Sequence, residues 1–143
     1  MLETKTVSEI INHLKSKDLS IKEVIEYYLS NIEKLNPKIN SIVSIKNKNE
    51  IIEEAEKKSN TKFCGLPIAV KDLSDVVGFP TTYGYPGTKN YSPSKNSLFV
   101  DKLLEAGITI IGKTNTAELG VGGQTINRLS LIHISEPTRR TQI

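Results

Sequence analysis

The residues best placed to do chemistry are a lysine and an aspartate at the end of a short apolar run. The run from Gly65 to Val70 leads into Lys71 and Asp72. It has no apolar/polar alternation, which predicts a strand buried on both faces, with Pro67 near its start, where a missing N–H is tolerated. Burial at the strand end disfavours a charged ammonium, and a neutral lysine is a base. Open α/β sheets place their sites at such ends, so Lys71 is a candidate catalytic base; the alternative is a lysine that only marks where the strand reaches water.

The composition is that of an ordinary soluble protein. The chain has 143 residues, 37% of them hydrophobic and 24% charged, enough for one domain or part of one. Its 19 basic and 16 acidic residues are spread along the sequence, so the net charge of +3 predicts no nucleic-acid surface. The polar N-terminus predicts neither a secretory signal nor a membrane span. Because Cys64 is the single cysteine, no internal disulfide can form, and we expect a cytoplasmic protein.

Two capping signals predict an N-terminal helical hairpin. Thr6 and Glu9 have the spacing of a capping box, and Ser20 and Glu23 repeat it. They predict helices over residues 7–17 and from residue 21 to Asn36-Pro37. Each helix has one apolar face, so both must pack on something later in the chain. A strand over residues 42–45 and a polar helix over residues 49–58 follow.

The second half of the chain predicts a strand, a crossover helix and another strand. After the run that ends at Lys71 comes a long polar segment over residues 73–96. Asn96 can cap a helix that Gly107 ends, and residues 108–111 are β-branched. Such a unit is right-handed and parallel, which predicts the α/β class.

The segment from Gly107 to Thr114 matches the phosphate-loop pattern G-x-x-x-x-G-K-[ST] letter for letter. Its four variable positions are strand residues whose N–H groups the sheet needs, so we reject the motif. A nucleotide-binding domain is therefore kept only as an alternative from another class, together with a fragment that has no catalytic role.

Three segments in the right order resemble landmarks of the amidase signature family. They are residues 65–72 (GLPIAVKD), residues 81–84 (TTYG) and residues 110–119 (IIGKTNTAEL). The resemblance extends from the first helix to about Arg128. It implies a serine hydrolase of amide bonds with a Ser-cisSer-Lys triad, built on a mixed sheet flanked by helices.

The resemblance also implies roles for individual residues. Lys71 matches the catalytic lysine, which takes a proton from the bridging serine. Both serines of the family lie in a later segment of the type Gly-Gly-Ser-Ser-Gly-Gly, whereas the Gly-Gly of this chain is followed by Gln124-Thr125. We therefore expect an inactive fragment, with neither metal nor cofactor. The remaining implied roles are substrate binding by Gly120, Val121 and Gly122, and orientation of the lysine and its loop by Asp72, Thr81 and Thr82.

The domain expectation is that residues 1–128 form the N-terminal portion of an amidase signature domain. Residues 129–143 continue no earlier periodicity and resemble the translation of a sequencing-library adapter, so we expect a non-native tail. The expected partner is a small-molecule amide, with a homodimer as an option for the full-length protein. The alternative within the family is the A subunit of glutamyl-tRNA(Gln) amidotransferase, which would add a nucleic-acid partner; residues 120–125 look more like a general amidase.

Overall fold

The computed structural model describes residues 2–122, 124–125 and 127–129. These residues form an α/β structure, which confirms the predicted class. The predicted tail over residues 129–143 lies outside the described residues except for Leu129. The described helices are α1 (Val7–Ser16), α2 (Ile21–Ile39), α3 (Lys48–Glu56) and α4 (Leu98–Glu105), and the strands are β1 (Ile42–Ile45), β2 (Pro67–Lys71) and β3 (Thr109–Thr114).

The three strands form a mixed sheet in the order β1-β3-β2. Strand β2 runs parallel to β3, as the crossover through α4 predicts, and β1 runs antiparallel to β3. Lys71 is in register with Thr114, so β2 and β3 end at the same edge of the sheet. Side chains that follow these two strands therefore meet at that edge.

Both predicted capping boxes are present. The hydroxyl of Thr6 accepts from the N–H of Glu9, whose carboxylate accepts from the N–H of Thr6 in return. Ser20 and Glu23 make the same reciprocal pair at the start of α2. Each pair satisfies two backbone donors that a helix start would otherwise leave open.

The predicted end of α2 at Asn36-Pro37 is wrong, because the helix continues through Pro37 to Ile39. Asn36 explains the difference. Its side-chain oxygen accepts from the N–H of Ile42 at 2.8 Å, and its amide donates to the carbonyl of Ile42 at 2.9 Å. These bonds fix the turn into β1 and offset the helix bond that Pro37 cannot donate.

Apolar residues cover both faces of the sheet. Neighbouring residues of β3 point to opposite sides: Ile111 packs against α1 to α3, and Ile110 packs against α4 and the loop after β2. The first cluster consists of Ile10, Ile21, Val24, Ile25, Ile51, Ile52, Ala55, Leu66, Ile108 and Ile111. The second consists of Val70, Val76, Phe79, Val100 and Ile110.

Strand β2 differs from the prediction of a strand buried on both faces. Val70 is buried, but Pro67, Ile68 and Ala69 are only half-buried. The reason is the position of β2 at the edge of the described sheet, next to the last turns of α2. There Leu35 remains 54% exposed, so the described residues leave the end of the α2 apolar face uncovered.

Of the two predicted caps of α4, the structure confirms one. Gly107, with φ +91°, makes the expected left-handed cap, with N–H groups of residues 107 and 108 bonded to the carbonyls of residues 104 and 103. The predicted cap by Asn96 is wrong, since Ser97 holds that position. The side chain of Asn96 instead accepts from the N–H of Val77 and donates to Asp101.

Within the described part of the chain, no helix combines the length and the apolar character that crossing a bilayer requires.

Candidate active site

Lys71 and Asp72 lie where β2 ends, at the edge of the sheet that β3 shares. The side chain of Lys71 is exposed, whereas that of Asp72 is only 2% exposed. The expectation of a desolvated Lys71 is therefore wrong for the described residues. The side chain is exposed because Lys71 is the last residue of an edge strand.

Asp72 joins β2, β3 and the loop that contains the two adjacent threonines. Its N–H donates to the carbonyl of Thr114 at 3.0 Å, and its carbonyl accepts from the N–H of Tyr83 at 3.1 Å. Its carboxylate oxygens lie 3.1 and 3.2 Å from the N–H of Thr82 and also accept from the Thr82 hydroxyl. The residue after the candidate base is thus held through both its backbone and its side chain.

Sequence reasoning missed Lys113, whose side chain is fully buried between the sheet and the loop after β2. Its ammonium lies 3.2 Å from a carboxylate oxygen of Asp72. It also donates to the carbonyls of Ser74 at 2.8 Å and Pro80 at 3.3 Å, and to the hydroxyl of Thr81 at 2.9 Å. The signal in the sequence was a lysine at the end of a β-branched run, which the phosphate-loop pattern obscured.

The surroundings of Lys113 are those of a charged group. The ammonium is surrounded by four acceptors, of which the carboxylate of Asp72 and the carbonyls of Ser74 and Pro80 can only accept; the fourth is the hydroxyl of Thr81. Burial lowers the pKa of Lys113 from its ordinary value, and the carboxylate of Asp72 opposes that effect by attracting the charged form.

The two adjacent threonines, Thr81 and Thr82, have different hydrogen-bond partners. Thr82 bonds to Asp72, while the fully buried Thr81 accepts from Lys113 and donates to the carbonyl of Ser74 at 3.4 Å. The N–H of Thr81 donates to the carbonyl of Tyr91 at 3.0 Å. Both threonines therefore belong to the network around Asp72, by different contacts; that this network orients Lys71 remains a proposal.

The segment at Gly120 lies beside the residues that follow Lys71. The N–H of Leu119 donates to the carbonyl of Tyr83 at 2.7 Å. A Cβ added at Gly120, where φ is +72°, would lie 2.8 Å from a methyl group of Leu73. Val121 is 78% exposed, and a Cβ added at Gly122 would meet nothing within 4 Å. The structure thus places the expected substrate-binding segment close to Leu73, with its last two residues open to solvent.

A cavity of about 230 Å³ is lined in part by Asp72. Its described lining includes Thr82, Gly84 and Asn115, but not Gly120, Val121 or Gly122. The polar cavity and the expected substrate-binding segment are therefore different surfaces of the same loop region.

Two tyrosines order the outer part of the loop. The rings of Tyr83 and Tyr91 stack with centroids 6.4 Å apart, and both hydroxyls donate to the carboxylate of Asp75. Burial raises the pKa of Tyr83, and the charge of Asp75 adds to that effect. In the described residues, His, Cys, Asp and Glu side chains form no group of three or more that could hold a metal ion.

Residues 23–139 match the family model described as Amidase. Because this match covers more than half of the chain, the chain belongs to that family, the amidase signature enzymes. The fold agrees, since the α/β arrangement is shared with solved members of the family.

The curated relatives include two kinds of protein. The A subunit of glutamyl-tRNA(Gln) amidotransferase from Thermoanaerobacter pseudethanolicus is 33% identical over 132 residues, which is 88% of this chain and 27% of the relative. An acylamidase of Rhodococcus erythropolis is 32% identical over 132 residues, or 87% of this chain and 28% of that protein. The chain therefore spans about a quarter of the length of the curated relatives it matches.

The chain also matches about a quarter of the length of the solved structures that resemble it. A bacterial aryl acylamidase of the amidase signature family superposes with a TM-score of 0.75 at 27% identity, covering 85% of this chain and 27% of the other. The hydrolase of the 6-aminohexanoate cyclic dimer gives 0.73 at 25% identity, with coverages of 80% and 24%.

Proposed function

We propose that this chain is the N-terminal portion of an amidase and that Lys71 is the base of its Ser-cisSer-Lys triad. The observation that carries the proposal is the common end of β2 and β3 in a chain of this family: Lys71 ends β2 there, and Gly120 lies against Leu73, two residues further on. The two serines would come from a later segment of a longer protein.

The chemistry requires a neutral lysine, because a serine hydroxyl is a poor nucleophile until a base takes its proton. In the proposed reaction, the Lys71 amine takes a proton from the bridging serine, which takes the proton of the second serine as that serine attacks the amide carbonyl. The C–N bond breaks as the leaving amine takes the proton back from Lys71 through the bridging serine, and water then hydrolyses the acyl ester on the second serine. Lys71 is exposed in the described residues, so we propose that the serine-bearing segment covers it in the full-length protein.

The proposed substrate is a small carboxylic amide, bound in part by Gly120, Val121 and Gly122. In this proposal Asp72, Thr81 and Thr82 support the loop after Lys71. We also propose a cytoplasmic location. For residues 129–143 we propose an adapter-derived origin, so that residues 1–128 are the genuine part of the domain, although the family match extends to residue 139.

A second candidate is the A subunit of a glutamyl-tRNA(Gln) amidotransferase. It is favoured by the curated relatives that carry this name, at 33% identity for the first of them. The two candidates differ in whether the full-length protein acts on small amides alone or requires glutamyl-tRNA(Gln).

The test is to assay the full-length protein with a panel of aliphatic and aryl amides, with and without glutamyl-tRNA(Gln). A fluorophosphonate probe reports the reactive serine in parallel. We expect hydrolysis of small amides without tRNA and labelling of one serine beyond residue 128. Turnover only with the tRNA would favour the second candidate, and a protein that neither hydrolyses amides nor reacts with the probe would contradict both.

A further inference from the structure

We propose that Lys113 is a positioning residue, which holds the loop after Lys71 and thereby fixes the direction in which Lys71 is presented. The part of this inference that concerns Lys71 as a base rests on the proposed function. The proposed triad leaves Lys113 without a role, although it is a fully buried lysine next to the candidate site.

The contacts of Lys113 join two separate stretches of the loop. Lys113 lies on β3 in register with Val70, one residue before Lys71. From there its ammonium contacts Asp72 and the carbonyl of Ser74 at the beginning of the loop, and the carbonyl of Pro80 and the hydroxyl of Thr81 several residues further along. One side chain thus bridges the strand and two points of the loop.

Asp72 passes this restraint to the backbone around Lys71. Its carboxylate, paired with Lys113, accepts from the N–H of Thr82, and its carbonyl accepts from the N–H of Tyr83. Because Asp72 is bonded covalently to Lys71, a shift of its carboxylate moves the backbone that carries the base. Proton transfer depends on such placement, and a displacement of about 1 Å costs roughly 10²-fold in rate.

The charge of Lys113 is what the geometry requires, since its partners include one carboxylate and two carbonyls. A methionine of similar length fills the space but donates to none of them. Lys113→Met is therefore the direct test, and Ile110→Ala, a truncation of a buried residue on the same strand, is the matched control for lost stability.

The experiment measures kcat and KM for amide hydrolysis by the full-length protein, together with hydrogen exchange at the backbone N–H groups of Thr82 and Tyr83. For Lys113→Met we expect kcat to fall roughly 10- to 100-fold with KM nearly unchanged, and both N–H groups to lose protection. For Ile110→Ala, assayed well below its unfolding temperature, we expect wild-type kcat and protected N–H groups.

A milder variant keeps the test decisive if Lys113→Met does not fold. Thr81→Val removes one acceptor of Lys113 with little change in volume, and we expect kcat to fall roughly 3- to 10-fold at unchanged KM. An unchanged kcat in Thr81→Val, or a kcat in Lys113→Met that matches Ile110→Ala, would overturn the positioning role.

Hydrogen exchange separates this inference from the proposed function. If the wild-type protein hydrolyses no amide, the proposed function fails. Lost protection at Thr82 and Tyr83 in Lys113→Met would still support the restraint of the loop, and unchanged protection would overturn it.

Discussion

Replacing Asp72 by asparagine tests the buried ion pair most sharply. Asparagine has the shape of aspartate and still offers an oxygen to Thr82, but it removes the negative charge beside Lys113. Asp72 is 2% exposed and Lys113 is fully buried, so water cannot replace the lost carboxylate. Lys113 must then either stay charged without its partner or release its proton.

Both outcomes have a calculable cost. Breaking a buried pair by removing one partner costs about 3–5 kcal/mol. Releasing a proton costs about 1.36 kcal/mol for each pH unit below the ordinary lysine pKa of 10.5, which gives about 4.8 kcal/mol at pH 7 and about 2 kcal/mol at pH 9. The loss of stability should therefore be about 3–5 kcal/mol at pH 7 and at most about 2 kcal/mol at pH 9.

The direction in which the stability of Asp72→Asn changes with pH follows from proton binding. Without the carboxylate, the folded variant binds fewer protons than the unfolded chain between these pH values, so its stability rises with pH. Asp75, the other carboxylate whose charge acts on Lys113, remains in the variant and makes these costs upper values.

Alkylation of Cys64 provides the assay, because this thiol is 3% exposed and becomes accessible when the surrounding core opens. Comparing variant and wild-type rates at one pH cancels the intrinsic reactivity of the thiol. Asp72→Asn should accelerate labelling about 10²- to 10⁴-fold at pH 7 and at most about 30-fold at pH 9. Asp101→Asn, at an exposed carboxylate, is the control and should change neither rate. A ratio near one at pH 7, or one that does not fall with pH, would refute the charged pair.

Two further predictions concern the backbone before β2 and the isolated chain. Gly65→Ala should lower the unfolding free energy of the full-length protein by more than about 2 kcal/mol, because φ is +76° and its Cβ would lie 2.4 Å from the carbonyl oxygen of Ala55. Gly78→Ala, with φ +88° but no atom nearer than 3.9 Å, is the control, and equal losses would contradict the steric argument. The isolated chain of 143 residues should hydrolyse no amide and bind no fluorophosphonate, and it should lack a sharp thermal transition because β2 and Leu35 are uncovered. Labelling, or cooperative unfolding of a monodisperse monomer, would contradict that expectation.

Local signals in the sequence predicted local structure well. The capping boxes at Thr6 and Ser20 and the glycine cap at Gly107 depend on residues a few positions apart, and all three are present. Pro37 misled the prediction because its cost to the helix is offset by the bonds between Asn36 and Ile42, a contact that the local pattern does not contain.

The site could be predicted only in part, because burial depends on which strand lies at the centre of the sheet. Lys71 and Lys113 both occur at or near the end of a β-branched or apolar run, and the local sequence does not show which of the two side chains is buried. Strand β3 lies between β1 and β2, so Lys113 is enclosed, whereas Lys71 ends an edge strand and is exposed. The pairing of Lys113 with Asp72 joins residues 41 positions apart and could be found only from the fold.

The most direct test of the central claim is the turnover number of Lys71→Ala in the full-length protein, with Lys95→Ala as a control at another exposed lysine. Loss of a general base should lower kcat for amide hydrolysis roughly 10²- to 10⁴-fold. The unfolding temperature should not fall, because a lysine covered by the serine-bearing segment is costly to bury and alanine removes that cost. Lys95→Ala should keep wild-type turnover. Near wild-type turnover in Lys71→Ala would contradict the assignment of Lys71 as the catalytic base.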